Sequence, residues 1–326
     1  MPQWIVGRAK YAWILFYLAV PAWAADAPYP AKTVRLILGY PPGGASDAVA
    51  RLLVAPLTVR LGQQIIIDNR PGAGGNIAAE ISARSAPDGY TWFLGNNGIL
   101  ATNQALYDKL PFDALRDFAT VVLVAVQPSV LVTHPSLPVK NVKELVALAR
   151  ARPGQLNYAS SGTGTAGHLA GELFKGLTKV SYQHIPYKGG GPAVMDVVSG
   201  QVHFMFATAA SVIPHTRTAR LRALAVTSAQ RSASMPELPT IAESGVAGFE
   251  ALTWHGIVVP VATALPVVTK INAEINAVLA TTDLKERLAT QGVEARGGKA
   301  EEFAAFLRAE IPKWTKVVRE SGAKAD

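Results

Sequence analysis

A unit of strand, glycine-containing loop and helix occurs three times in this sequence and constrains its fold more than any other feature. Each copy has a short apolar β-branched or aromatic run, a loop with two or more glycines, and a segment with apolar residues at helical spacing. The three strands are residues 34–38, 65–67 and 157–159. Such units are typical of α/β folds, in which parallel strands direct their loops to one edge of a sheet and ligands bind there.

The first loop, residues 40–47, reads YPPGGASD and predicts a binding site for an anion. Gly43 and Gly44 carry no side chain, so the backbone can approach a ligand closely. We expect Asp47 or Ser46 to cap a helix over residues 48–61, because their side-chain oxygens can accept hydrogen bonds from its first turn. The exposed N–H groups and positive dipole of a helix N-terminus favour a negatively charged ligand.

The remaining pattern predicts two domains joined by two crossing segments. Strands at 120–126 and 129–133 are separated by Gln127 and Pro128, which we interpret as the first crossing. The apolar segment 254–259 is interpreted as the return crossing. We therefore predict domain I over residues 28–127 plus 251–326 and domain II over residues 128–250, each a mostly parallel sheet flanked by helices.

The N-terminus has the pattern of a cleavable signal peptide over residues 1–24. Arg8 and Lys10 precede an apolar run at 11–20, and Ala22-Trp23-Ala24 offers a small-x-small cleavage site between Ala24 and Ala25. The alternative is an uncleaved anchor, although the apolar run is shorter than an ordinary membrane span. The chain contains no cysteine, which excludes disulfides, thiolate metal sites, cysteine nucleophiles and lipid attachment through a cysteine. We expect a soluble periplasmic protein.

Several functional classes lack their sequence signals. The formal net charge is +8, but the basic residues are scattered, so we expect no nucleic-acid partner. No P-loop motif is present, and Gly162-x-Gly164-x-x-Gly167 lacks the acidic residue that a dinucleotide site needs about twenty positions later. The histidines show no H-x-x-x-H spacing. We therefore expect neither cofactor nor metal.

Two alternatives to a binding protein remain open. An exported hydrolase could use Ser161 as nucleophile and His168 as base, although the sequence has no G-x-S-x-G elbow. A sensory protein could instead dock, with its ligand, on a membrane sensor. We expect no catalysis, because the loops are suited to holding a ligand and no carboxylate pair stands out.

Seven motifs in order resemble the Bug (TctC-type) receptors, the solute-binding proteins of tripartite tricarboxylate transporters. Written in one-letter code, they are PPGG-x-x-D at 41–47, NRPGAGG at 69–75, APDGY at 86–90, NYAS at 157–160, GT-x-x-HLA-x-ELF at 164–174, PYKG at 186–189 and LRALAVT at 221–227. The resemblance covers nearly the whole mature chain. It implies a periplasmic-binding-protein fold of type II-like architecture, a two-domain clamshell that closes on a small organic acid.

The resemblance also implies partners and ligand-binding residues. A monomer would capture a mono- or dicarboxylate, aromatic acids included, and offer it to membrane permease subunits. The ligand would be held by backbone amides and ordered waters rather than by an arginine. The implied residues are Pro42, Gly43, Gly44, Asp47 and Asn97 in the first lobe, and Ser160, Ser161, Thr163, Gly164, Thr165, His168, Tyr187, Lys188, Gly189 and Ala207 in the second.

One position departs from the family pattern. Ala207 stands where these receptors usually carry an aspartate. Without that carboxylate, we expect ligands bearing an amine to be disfavoured. The smaller residue could equally make room for a bulkier or more apolar acid.

Overall fold

The computed structural model describes residues 1, 29–232 and 235–324. The predicted signal peptide, Met1 apart, lies outside the described residues. The strands are β1 Val34–Leu38, β2 Ile65–Asn69, β3 Thr91–Asn96, β4 Phe118–Thr133, β5 Asn157–Ser160, β6 Gln183–Pro186, β7 Phe204–Thr208, β8 Arg222–Val226, β9 Leu252–Pro260 and β10 Glu294–Ala295. The helices are α1 Ala45–Leu61, α2 Asn76–Ala83, α3 Asn103–Leu106, α4 Val142–Ala151, α5 Ala166–Thr178, α6 Gly190–Val198, α7 Ala209–Arg217, α8 Leu265–Leu279, α9 Thr282–Ala289 and α10 Ala300–Ser321.

The strands form two lobes that share β4. In the first lobe the order is β2-β1-β3-β9-β4, with β10 on the other side of β4. In the second lobe β4 pairs with β8 on one side and continues through β7 and β5 to β6 on the other. Three neighbouring strands in each lobe run parallel, and the antiparallel pairs all involve β4 or β9. The predicted α/β class is thus confirmed.

The first crossing is one continuous strand, so the predicted break at Gln127 and Pro128 is wrong. Along β4, residues up to Pro128 pair with β9, and residues from Ser129 pair with β7. Proline lacks a donor N–H and is tolerated where a ladder is interrupted. Pro128 lies where β4 changes partners, so the strand passes through it. The division into two moving domains at this point stays a prediction.

Helix α10 packs on β4 and on α5, and so contacts both lobes. Its buried Glu310 accepts hydrogen bonds from two indoles, Trp254 Nε1 on β9 and Trp314 Nε1, each at 2.8 Å. Lys313 pairs with the same carboxylate. A buried carboxylate is tolerated when paired and hydrogen-bonded, as this one is. Within 29–232 and 235–324, no helix combines the length and apolar character needed to cross a bilayer.

Candidate ligand-binding cleft

A cleft of about 610 Å³ lies between the two lobes, where the carboxyl ends of β1 and β3 face the start of α5. The first-lobe lining comes from the loop before α1, the end of β3 and strand β9. The second-lobe lining comes from the loop before α5. The lining residues are Tyr40, Pro41, Pro42, Gly43, Gly44, Ala45, Ser46, Asn96, Asn97, Gly98, Gly164, Thr165, Ala166, Thr253 and His255.

The first-lobe loop is held by Asp47. Helix α1 begins one turn earlier than predicted, with Gly44 as N-cap and no side-chain cap, so the expectation that Asp47 or Ser46 caps it is wrong. Asp47 lies in the first turn, where its Oδ2 accepts hydrogen bonds from Gly43 N at 3.0 Å and Arg51 Nε at 2.7 Å. The hydrogen bond from Arg51 is the main factor that lowers the pKa of Asp47. The carboxylate therefore fixes the glycine turn in its ionised form.

The second-lobe loop is held by two histidines. His168 Nδ1 accepts a hydrogen bond from Gly164 N at 3.0 Å, and its ring stacks on His184 with centroids 4.1 Å apart. His184 Nε2 in turn lies 2.6 Å from Ser160 Oγ. Burial lowers the pKa of both histidines to about 4, so both rings are neutral at pH 7. Neutral rings can act as acceptors and pack in the core beneath the loop.

The cleft is suited to an anion although no charged side chain lines it. Among its described lining residues there is no lysine, arginine, aspartate or glutamate. Instead, the N-termini of α1 and α5 both open into it, one from each lobe. Helix N-termini bind anions through their free N–H groups and their positive dipole end. The polar partners offered to a ligand are therefore neutral donors.

Ser46 and His255 form a buried hydrogen bond in the cleft wall. Ser46 Oγ on α1 and His255 Nε2 on β9 lie 3.0 Å apart, and the residues are 5% and 1% exposed. Burial lowers the pKa of His255 to about 4, so this ring is also neutral at pH 7. The pair joins the first turn of α1 to the crossing strand.

The predicted site residues fall into four groups. Six line the cleft, namely Pro42, Gly43, Gly44, Asn97, Gly164 and Thr165. Thr163 lines an adjoining cavity of about 350 Å³ that shares Gly164 and Thr165 with the cleft. Three are buried behind the loops, namely Asp47, Ser160 and His168. Five lie away from the cleft lining, namely Ser161, Tyr187, Lys188, Gly189 and Ala207.

The contacts of this last group are internal to the second lobe. Tyr187 donates its hydroxyl to Asp196 Oδ2 at 2.6 Å, Gly189 N donates to Ser161 O at 3.1 Å, and Ala207 pairs with Val130. A role of these residues in ligand binding stays a prediction.

Sequence reasoning missed His255 and Thr253, and it assigned Ser46 the wrong role. Asn96 is opposite His255 in the β3–β9 ladder, which places the histidine at the end of β3 beside the predicted loop. Within its apolar segment, His255 gave no signal of its own. Only the pairing of two strands far apart in sequence brings it to the cleft.

A comparison with known families identifies the family of the chain. The family described as "Tripartite tricarboxylate transporter family receptor" (TctC) matches residues 49–323. The chain belongs to this receptor family. Protein BugT of Bordetella pertussis is 38% identical to this TctC receptor over 308 residues, which cover 94% of each chain. The resemblance inferred from the motifs is thereby confirmed, and with it the assignment of the chain as a solute-binding protein.

Solved structures place the TctC receptor among ligand-bound relatives. Rpa4515 from R. palustris, solved with adipate, has 38% sequence identity and a TM-score of 0.74, covering 91% of this chain and 99% of its own. MatC from Rhodopseudomonas palustris, with bound malate, has 32% identity and a TM-score of 0.71, covering 89% and 100%. These similarities confirm the two-lobed clamshell fold.

Proposed function

We propose that this receptor captures a small organic carboxylate between its lobes and delivers it to the permease subunits of a tripartite tricarboxylate transporter. The observation that carries the proposal is the cleft itself, where two helix N-termini from opposite lobes meet and none of the described lining residues has a charged side chain. A carboxylate bound there would contact both lobes. Contacts made only when the lobes come together stabilise the closed form, so ligand would shift the receptor toward closure.

We infer that linear dicarboxylates are the best probes of the ligand class. The two relatives reported above were solved with adipate and malate. In this chain Tyr40, Pro41, Pro42 and Ala166 add apolar surface to the cleft, which suits the methylene groups of such acids. Because the described lining residues include no carboxylate, an amine on the ligand would find no negatively charged partner there.

We propose that binding occurs without chemical conversion. A hydrolase would need a reachable nucleophile beside a base. Ser160, the serine next to a histidine, is fully buried, and its hydroxyl donates to Gly162 O at 3.0 Å. His168, the base suggested from sequence, has its Nδ1 occupied by Gly164 N. These contacts support structural roles for Ser160 and His168. Ser161, the nucleophile suggested from the sequence, lies outside the cleft lining.

We further propose that the protein is exported to the periplasm, loses residues 1–24, and acts there as a monomer. The basic, apolar and small-residue segments of its N-terminus support export. Domain I would comprise residues 28–127 plus 251–326, and domain II residues 128–250. Hinge motion would then occur near Pro128 and at the start of β9.

The test is calorimetric titration of the mature protein, unfolded and refolded to remove bound ligand, with adipate, malate, aspartate and NAD. We expect adipate or malate to bind, aspartate to bind more weakly because of its amine, and NAD not to bind. A ligand at about 100 times its dissociation constant should also stabilise the protein by about 2.7 kcal/mol. Failure of every acid to bind the refolded protein would contradict the proposal.

A variant that places a negative charge in the cleft sharpens this test. Gly44 has an extended backbone, which any residue can adopt. A Cβ atom added to Gly44 would lie 3.7 Å from Pro41 O, its nearest neighbour, so aspartate fits without strain. Gly44→Asp should cap α1 yet repel an anion, and abolish binding. Gly191→Asp, at an open position of α6 outside the cleft lining, is the matched control and should bind normally.

A further inference from the structure

The buried hydrogen bond between Ser46 and His255 determines whether the hydroxyl proton of Ser46 is free to bind a ligand. Both residues line the cleft, and Ser46 lies in the first turn of α1, beside the N–H groups that face it. Their hydrogen bond joins Ser46 Oγ to His255 Nε2 at 3.0 Å. Either atom can be the donor, and the choice depends on which nitrogen of the imidazole carries the proton.

The surroundings of the ring identify the tautomer. His255 Nδ1 is buried and has no hydrogen-bond partner among the described residues. A neutral imidazole has one N–H, and a buried N–H left without an acceptor is rarer in proteins than an acceptor left without a donor. The proton therefore belongs on Nε2. His255 donates and Ser46 Oγ accepts.

This assignment leaves the hydroxyl proton of Ser46 available. In the described part of the chain, the contact with His255 is the one hydrogen bond recorded for the Ser46 side chain. The serine oxygen is already an acceptor, so its O–H must donate elsewhere. Backbone N–H groups of the first turn are donors and cannot receive it. A cleft ligand with a free lone pair can.

We propose that Ser46 donates its hydroxyl hydrogen bond to a carboxylate oxygen of the ligand and that His255 orients this donor. The inference rests on the proposed function and adds a specific recognition element to it. Ser46 is then a ligand-binding residue, and His255 is a positioning residue that acts through it. Because a hydrogen bond to a charged acceptor is stronger than one to a neutral acceptor, the pair favours ionised carboxylates over their esters and amides.

The experiment is titration of adipate and malate into the mature wild type, Ser46→Ala, Ser46→Thr, His255→Phe and His255→Gln. Ser46→Ala should weaken binding about tenfold or more, the usual effect of losing a hydrogen bond to a charged group. Ser46→Thr, which keeps the hydroxyl, should restore most of the affinity. His255→Phe should weaken binding by a smaller factor, and His255→Gln, whose amide N–H can still donate to Ser46, should weaken it least.

A double variant shows whether His255 affects ligand affinity through the Ser46 hydroxyl or only through its packing in the cleft wall. The double variant Ser46→Ala with His255→Phe should bind no worse than Ser46→Ala alone, because His255 acts through a hydroxyl that is already absent. Ser136→Ala is the matched control. It removes another serine hydroxyl beside a histidine, 2.6 Å from His134 Nδ1, but at an exposed position outside the cleft lining. Its affinity should equal that of the wild type.

The outcomes distinguish this inference from the proposed function. If the wild type binds an acid and Ser46→Ala binds it equally well, the inference falls and the receptor function stands. If the wild type binds neither acid after refolding, the receptor proposal loses its support. Imidazole ¹⁵N spectra of histidine-labelled protein, assigned with His255→Phe, test the tautomer without ligand. A protonated Nδ1 on His255 would overturn the inference.

Discussion

The loops that face each other across the cleft are built on the same plan but held by different chemistry. In each, the third residue of the following helix accepts a hydrogen bond from a glycine N–H four positions earlier. Asp47 accepts from Gly43 and His168 accepts from Gly164, both at 3.0 Å. Both glycines have left-handed backbones, with φ of 86° and 77°. The backbone geometry therefore repeats between the lobes.

The acceptors differ because their surroundings differ. Asp47 is paired with Arg51, whose side chain is 60% exposed, so the carboxylate stays ionised next to a solvated cation. His168 stacks on His184 within the core of the second lobe, and among residues 29–232 and 235–324 no carboxylate forms an ion pair with it. Burying an unpaired charge is costly, so a neutral acceptor is the stable choice there. The comparison shows that an ionised carboxylate and a neutral imidazole can each accept the glycine N–H that holds such a loop.

The largest effect that tests this comparison is expected from His168→Ala. The substitution removes a buried ring and the acceptor for Gly164, so we expect a loss of about 2–4 kcal/mol in the free energy of unfolding. His168→Asn, whose Oδ1 can approximate Nδ1, should lose the packing but retain the loop and therefore the ligand affinity. Urea unfolding and carboxylate titration measure the two quantities. Equal loss of affinity in both variants would contradict the role assigned to Nδ1.

The next effect is the pH dependence of stability. A histidine whose pKa is lowered from 6.5 to about 4 by burial binds its proton less readily in the folded state. The unfolded chain therefore binds more protons between these values, and stability falls as the pH falls through this window. From pH 7 to pH 5 we expect a loss of up to about 2 kcal/mol for each such buried histidine, and less for half-buried His184 because solvent screens it. Buried His255, whose pKa is also lowered to about 4, adds its loss in the same window. Asp47, whose pKa is lowered, should contribute its loss only below about pH 4.

Variants separate the share of this pH dependence that comes from the second-lobe loop from the share of His255 in the first lobe. His184→Gln should reduce the slope of unfolding free energy between pH 7 and 5, whereas Asp47→Asn should leave it unchanged. His134→Gln, in an exposed turn, controls for the loss of a histidine as such. Stability that does not change between pH 7 and 5 would show that the histidines are not held neutral by burial.

The smallest effects are expected from Asp47→Asn and, smaller still, from Arg51→Gln. Asparagine keeps an oxygen for Gly43 N but loses the charge, so we expect a loss of about 1 kcal/mol in the free energy of unfolding at pH 7. Arg51→Gln removes the mostly exposed partner and should cost less than that, as exposed ion pairs contribute little. If both variants cost the same in urea unfolding, the ion pair rather than the glycine contact would account for the role of Asp47.

Local features of the fold could be read from the sequence, and long-range ones could not. The strand preceding Gly43 and the strand preceding Ser160 both lie where apolar runs and glycines predicted them. The start of α1 was misplaced because Ser46 and Asp47 are good caps in isolation, whereas the structure uses them inside the first turn. The continuity of β4 was missed because proline is a strong breaker signal unless its strand changes partners.

In the candidate site, too, the residues set by local sequence were predicted and those set by long-range pairing were not. Gly43, Gly44, Gly164 and Thr165 were predicted to be near one another because loops at the carboxyl ends of parallel strands converge. His255 could not be predicted, since its position depends on the antiparallel register of β3 with β9, about 160 residues apart in the chain. Register between distant strands leaves no local pattern in a sequence.

The sharing of β4 has a consequence for folding cooperativity. One uninterrupted strand is an interior member of both sheets, with β9 and β10 beside its first half and β7 and β8 beside its second. A fragment containing either lobe without its share of β4 would expose unpaired sheet edges, which are prone to aggregate. The two lobes should therefore melt together in a single calorimetric transition.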